Sequence, residues 1–135
     1  MSGEWQKLRA RDVMNTALRW ASSTETVRAA ANRMAEHHIR ALLVAGKTDE
    51  DLPAILTSKD IVNLVGAHDL DVLDQLLVED ACTRPAICVP ETASLFDCMN
   101  LMRTNGVRRV PVLQGNAVGG ILSLTDVFDR LVAMR

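Results

Sequence analysis

The sequence predicts a mixed α+β fold made of two copies of one β-α-β-β-α repeat, packed together as one pseudo-symmetric domain. The first observation behind this is a phrase written twice. Ala54-Ile55-Leu56-Thr57-Ser58-Lys59-Asp60-Ile61 and Gly120-Ile121-Leu122-Ser123-Leu124-Thr125-Asp126-Val127 share one pattern: small, two apolar, hydroxyl, two variable, aspartate, aliphatic. The second is that a shift of 68 residues lays Asp12 on Asp80, Thr24 on Thr92, Val27 on Leu95, Met34 on Met102, Ile39 on Val107, Arg40 on Arg108 and Val44 on Val112. The third is size: 135 residues at 48% hydrophobic composition suffice for one real core and are too few for an easy split into two independent domains.

The two phrase aspartates lie 66 apart rather than 68, so the first copy carries two extra residues in the polar stretch from Ala45 to Asp51. On this basis residues 1–68 form the first repeat with its N-terminal segment, 69–78 a linker, and 79–135 the second repeat. In the second copy Ala86-Ile87-Cys88-Val89 reads as a short strand stopped by Pro90, and Glu91-Thr92 as the opening of a helix. That helix carries Leu95, Phe96, Cys98, Met99, Leu101 and Met102, an apolar arc of about 220° where one buried face needs about 100°. Such an arc calls for cover on two sides, by its own sheet and by something else, a second chain among the candidates. The matching helix of the first copy, with Val27, Ala30, Ala31 and Met34, has a narrower stripe.

Asn105-Gly106 ends the second-copy helix as a left-handed cap, and the aligned His37-His38 is expected to do the same, histidine being tolerant of that conformation. Capping and exposure fit this pair better than a metal site, because neighbouring helical side chains diverge and His68 is the only other histidine. Strands are expected over Val107 to Leu113 and Ala117 to Leu122 around the turn Gln114-Gly115-Asn116, with counterparts over Ala41 to Ala45 and Leu52 to Leu56. Between the repeats, Val72, Leu73, Leu76 and Leu77 are spaced as a helical stripe with Asp69 as its N-cap.

Charge and cysteine content narrow the function. With 15 basic and 17 acidic residues the formal charge is −2, which makes no electrostatic case for nucleic acid or a membrane surface. Arginine outnumbers lysine 12 to 3; its planar fork suits carboxylates and phosphates, although lineage bias explains the same skew. Cys82, Cys88 and Cys98 fit neither a disulfide framework nor a CxxC metal site, and buried free thiols in a reducing cytoplasm are expected. The opening residues lack a basic-then-apolar leader, and no apolar run approaches membrane-spanning length, so the expected location is cytoplasmic. No nucleophile, base and orienting group converge, no ligand set has metal spacing, and an enzyme is not expected.

Thr57 with Asp60, and Ser123 with Asp126, admit two readings. A hydroxyl followed three residues later by an acid is close to a capping box, in which both side chains only satisfy exposed backbone N–H groups, and spacing alone favours this. The same geometry offers a ligand free N–H groups, a positive dipole end, a hydroxyl for phosphate and a carboxylate for ribose hydroxyls.

The tandem copies, the phrase Gly120 to Asp126, and the approach Gly106-Val107-Arg108-Arg109-Val110-Pro111-Val112 together resemble a pair of CBS domains, the Bateman module named after cystathionine β-synthase, over about residues 9 to 133. The resemblance implies two clefts that can bind adenosine derivatives: AMP, ADP, ATP or S-adenosylmethionine. By position, Asp60 and Asp126 would hold ribose hydroxyls, and Thr57 and Ser123 would touch ribose or phosphate. Arg108, Arg109 and Arg40 would supply charge to a phosphate. The base would lie near Thr16, Ala17 and Leu18 in one copy and Arg84, Pro85 and Ala86 in the other. Two positions depart from the family pattern: Ala54 stands where Gly120 keeps the preferred glycine, adding a methyl where a ligand approaches, and Ala41 aligns with Arg109. The second copy is therefore the better equipped for phosphate. The implied function is a nucleotide-sensing module that modulates an as yet unidentified partner and forms a homodimer through its helices; the alternative is a scaffold of the same fold that binds no nucleotide.

Overall fold

A computed structural model describes residues 4–134. A short 3-10 turn (Glu4–Lys7) and α1 (Ala10–Val13) lead into the first repeat: β1 (Trp20–Ala21), α2 (Val27–His37), β2 (Ala41–Val44), β3 (Ala54–Thr57) and α3 (Ser58–His68). Two short helices, α4 (Val72–Gln75) and α5 (Val78–Ala81), precede the second repeat: β4 (Val89–Pro90), α6 (Leu95–Asn105), β5 (Arg109–Gln114), β6 (Ala117–Ser123) and α7 (Leu124–Ala133). The expected β-α-β-β-α order is thus present twice. Each repeat has a three-stranded sheet in which the first strand runs parallel to the second and the second antiparallel to the third.

The chain folds into two compact units that do not coincide with stretches of sequence: unit 1 is residues 1–18 with 87–135, and unit 2 is Arg19–Ala86. Four isolated bridges explain the division. Asn15 pairs with Ile121 and Arg9 with Ser94 in unit 1, while Thr83 pairs with Ile55 and Thr26 with Leu77 in unit 2. These are the same two contacts displaced by one repeat. Each unit is therefore a sheet with its two helices, completed by a segment that lies in sequence ahead of the other repeat. Strand edges left open would expose unpaired backbone groups, and the exchange closes them. Asn15 and Ile121 trade both backbone hydrogen bonds, at 2.8 and 2.9 Å, and Thr83 and Ile55 do so at 2.8 and 3.1 Å.

The core of unit 1 joins Ala10 and Val13 of α1 to Val89, Leu95, Cys98, Met102, Val110, Val112, Leu122 and Val127. In unit 2 Ala30, Met34, Leu42, Val44, Ala54, Leu56 and Val78 form the main cluster, and Val27, Val72 and Leu73 a second. The broad arc of α6 finds its second cover inside its own unit: Trp5 and Leu8 pack against the unit 1 core, Leu95 N–H donates to the Leu8 carbonyl at 2.9 Å, and the Trp5 and Phe96 rings lie 6.4 Å apart. Phe96 nevertheless stays 54% exposed.

Several boundaries differ from the sequence expectation. The strand expected from Ala86 to Val89 is only Val89–Pro90, and α6 opens at Ser94, not at Glu91-Thr92. Ser94 Oγ accepts from the Asp97 N–H at 3.1 Å, as Thr26 Oγ1 does from Ala29 at 3.1 Å at the start of α2. β3 begins at Ala54, two residues after the expected Leu52, and β2 ends at Val44. The linker is not one helix capped by Asp69. Leu76 and Leu77 are extended, because the Leu76 carbonyl accepts from Val27 N–H at 2.9 Å and Leu77 bridges Thr26, which interrupts the stripe and leaves α4 and α5 on either side. Both helix caps are as expected: Gly106 has φ +65° and His38 φ +54°.

Two substitutions test this packing. Replacing His38 with Gly removes a Cβ from a left-handed residue, and the protein should gain about 0.5–1 kcal/mol of stability in urea titrations. A Cβ on Gly120 would fall 2.6 Å from Met14 Sδ and 3.0 Å from the Asn15 carbonyl oxygen, so Gly120→Ala should cost about 1–3 kcal/mol by the same measurement.

Candidate ligand site

The predicted site residues separate cleanly between the two units. Unit 1 holds Ser123, Asp126, Arg108, Arg109 and Gly120 with Thr16, Ala17 and Leu18; unit 2 holds Thr57, Asp60 and Arg40 with Arg84, Pro85 and Ala86. In each, a strand turns directly into a helix at the hydroxyl residue: β6 into α7 at Ser123, and β3 into α3 at Thr57. The turn is fixed from below by an arginine backbone. The Arg108 carbonyl accepts from the first helical N–H, that of Leu124, at 2.9 Å, and the Arg40 carbonyl accepts from Ser58 N–H at 2.9 Å. This places Arg108 at the N-terminal end of α7 and Arg40 at that of α3, where helix dipoles favour an anion. Among the described residues neither guanidinium has a hydrogen-bond or ion-pair partner. In register, Arg109 stands opposite Ser123 where Ala41 stands opposite Thr57.

The two turns differ in what holds the carboxylate. Thr57 Oγ1 accepts from Asp60 N–H at 3.2 Å, and Asp60 Oδ2 accepts in return from Thr57 N–H at 2.9 Å. That is a closed capping box, in which one oxygen of the carboxylate is engaged with its own backbone. Ser123 Oγ accepts from Asp126 N–H at 3.1 Å, but no return bond forms. Among the described residues the half-buried Asp126 carboxylate has no hydrogen-bond partner, so both oxygens are available to a diol. Asp12 and Asp80, aligned by the repeat, are pure caps, accepting from Arg9 N–H at 2.8 Å and Leu77 N–H at 3.0 Å.

The segments expected to flank the base lie along the strands in a definite direction. Because the Asn15 and Ile121 bridge is antiparallel, Thr16 to Leu18 lead away from Ser123 toward the start of β6, and Met14 and Asn15 are the residues nearest the turn. In unit 2 the same sense carries Arg84 to Ala86 toward the start of β3, where Ala86 N–H donates to the Pro53 carbonyl at 2.9 Å. Arg84 Nη1 reaches the Ala45 carbonyl at 3.2 Å, and Arg84 and Pro85 line a cavity of about 480 Å³ with Lys47, Glu50, Asp51 and Leu52, not with Thr57 or Asp60. Gly120 also has a different partner from the one expected of it. The space above it is filled by Met14 and Asn15, so the glycine admits the chain's own N-terminal segment, and Ala54 at the equivalent position is fully buried.

Sequence reasoning missed Met14, Asn15 and Arg130, whose Nη2 donates to the Asp12 carbonyl at 2.5 Å. The first two were legible in principle, since Asn15 falls on Thr83 under the repeat shift; the reach of Arg130 had no sequence signal. Burial raises the thiol pKa values of Cys88 and Cys98, the latter with help from Asp97, which makes both poor nucleophiles. Among the described residues no three His, Cys, Asp or Glu side chains are grouped to hold a metal ion, and no helix is long and apolar enough to cross a membrane.

Comparison with known proteins follows the same division into repeats. Hypoxic response protein 1 of Mycobacterium tuberculosis is 38% identical over 123 residues, covering 90% of this chain and 84% of the relative. A crystal structure of Hypoxic Response Protein I, with two coordinated zinc ions, has a TM-score of 0.74 at 31% identity, covering 90% of this chain and 98% of that one. Those ions are a property of that protein; among the described residues of this chain no three His, Cys, Asp or Glu side chains are grouped to hold them. A hexameric CBS-CP12 protein from bloom-forming cyanobacteria has a TM-score of 0.82 at 28% identity, covering 90% of this chain and 69% of that one. The fold is shared as well by the CBS domain pair of protein MJ0100, in complex with 5-methylthioadenosine and S-adenosylmethionine, with a TM-score of 0.76 at 24% identity, covering 93% of this chain and 95% of that one. The CBS domain signature matches residues 10–67 and 78–133, and the chain belongs to the CBS domain family as a tandem pair.

Proposed function

We propose that this CBS-domain pair is a regulatory module that binds an adenosine derivative, AMP, ADP, ATP or S-adenosylmethionine, and that unit 1 is its principal site. The observation that carries the reading is the uncommitted Asp126 carboxylate, one turn into α7, with the Ser123 hydroxyl beside it. In this reading Asp126 accepts both ribose hydroxyls, Ser123 meets ribose or phosphate, and Arg108 and Arg109 face the phosphate at the positive end of α7. Thr16, Ala17 and Leu18, continuing from Asn15, offer backbone and aliphatic surface to the base. Unit 2 is the weaker site: one oxygen of Asp60 is already engaged in its capping box and Arg40 stands without a second arginine, Ala41 holding the register position of Arg109, while Arg84, Pro85 and Ala86 would flank the base as Thr16 to Leu18 do in unit 1.

Signalling to a partner requires a ligand that binds one arrangement better than another, and helices tied to the ligand turn are the natural reporters. Leu124, Phe128 and Val132 form an exposed stripe along α7, 42%, 64% and 64% accessible, and with Phe96 they give unit 1 apolar surface suited to a homodimer. The hexameric state of the cyanobacterial relative supports self-association in this reading. The same fold without nucleotide binding is the competing scaffold reading.

Titration calorimetry with AMP, ADP, ATP and S-adenosylmethionine separates the two. At least one ligand should bind, and Asp126→Ala should weaken it at least tenfold, whereas Asp60→Ala should leave it within about threefold. No heat from any of them at millimolar concentration establishes the scaffold. The same pair of variants should reverse roles in stability. Asp60→Ala loses a cap hydrogen bond and about 1 kcal/mol in urea titration, while Asp126→Ala loses less than half of that.

A further inference from the structure

Unit 1 depends on residues 8–15 lying correctly against β6 and α7, and most of their bonds are to other parts of the unit. Leu8 O accepts from Leu95 N–H at 2.9 Å, Ala10 N–H donates to Ala93 O at 2.8 Å and Arg11 N–H to Glu91 O at 3.1 Å, and Arg9 Nη1 reaches the Thr92 carbonyl at 2.6 Å. All four tie the segment to the stretch before and at the start of α6. On the other side, toward the ligand turn, the backbone pair of Asn15 with Ile121 is joined by one side-chain bond, from Arg130 Nη2 to Asp12 O.

Arg130 lies four residues after Asp126 on α7, so the two side chains share a helix face one turn apart. The helix that presents the carboxylate also grips the segment that forms the neighbouring wall. Position 64 of α3 is the counterpart of 130, and there Leu64 packs against the cluster of Val27, Val72 and Leu73. At this helix position unit 2 therefore meets its exchanged segment through an apolar side chain where unit 1 uses a guanidinium clasp.

We propose that Arg130 is a positioning residue for the unit 1 site: by holding the Asp12 carbonyl it fixes Met14 and Asn15 beside the turn at Ser123, and with them the path of Thr16 to Leu18 along the edge of β6. This deepens the adenosine-binding reading and rests on it for the ligand, though not for the clasp itself. The guanidinium touches no ligand in this scheme. It acts through the backbone of the segment, which a lysine can hold in part and a methionine of similar reach cannot.

Arg130→Met and Arg130→Lys in the full chain test the proposal with two readouts: amide hydrogen exchange without ligand, and AMP affinity by calorimetry. In Arg130→Met, exchange at the Asn15 and Ile121 amides should rise at least tenfold while Val110 and Leu122 change less than threefold, and AMP should bind about tenfold more weakly. Arg130→Lys should recover part of both effects. Unchanged exchange at Asn15 and Ile121, or an equal rise throughout unit 1, would overturn the clasp. Faster local exchange with unaltered AMP affinity would overturn its role in the site. If the unaltered protein binds no AMP, the adenosine reading fails for that ligand, while the exchange data still decide whether Arg130 holds the segment.

Discussion

The fold depends on an exchange of short segments between two sequence repeats. Asn15 pairs with Ile121 and Thr83 with Ile55, and each pairing closes a sheet edge that its own repeat leaves open. Without the first, β6 would present bare backbone, and Ala10 and Val13 would leave the core of unit 1. Without the second, Val78 would leave the core of unit 2. A single repeat is therefore short of one wall, which is why the two copies occur together. The same segments border the two turns at Ser123 and Thr57, so the constraint that completes the fold also shapes the sites.

Near-symmetry makes the differences between the units informative. Both turns begin with a hydroxyl N-cap and an arginine carbonyl that accepts the first helical N–H. Only in unit 2 does the aspartate close the box, and only in unit 1 does the helix carry an arginine that reaches the neighbouring segment. A carboxylate oxygen that already accepts a backbone N–H at 2.9 Å is less available to a ribose hydroxyl than one that accepts nothing. The turn at Thr57 is thus closed on itself, while the one at Ser123 leaves its carboxylate without a hydrogen-bond partner among the described residues.

Much of this was legible in the residues. The repeat shift placed all ten principal strands and helices in order, and it identified His38 as the counterpart of Gly106, a left-handed cap in both cases. The limits were set by interactions that act across long sequence separations. Spacing could not distinguish Asp60 from Asp126, because whether a box closes depends on the angle of a side chain. The apolar spacing of Val72 to Leu77 implied one helix, yet pairing with the segment before α2 split it in two. The wide arc of α6 was read correctly as needing a second cover, but that Trp5 and Leu8 supply part of it follows only from the path of the chain. At Gly120 the family pattern implies the approach of a ligand, whereas the atoms that lie against it are those of Met14 and Asn15.

In the proposed function the turn at Ser123 and Asp126, bordered by the exchanged N-terminal segment, receives the adenosine ligand. Amide chemical-shift mapping during titration with AMP tests it most directly, because it reports every candidate residue at once. The largest shifts are expected at Thr16 to Leu18, Arg108, Ser123 and Asp126, with smaller changes at Thr57 and Asp60. Shifts concentrated at Thr57 and Asp60, or around Lys47 to Leu52 and Arg84, would contradict it.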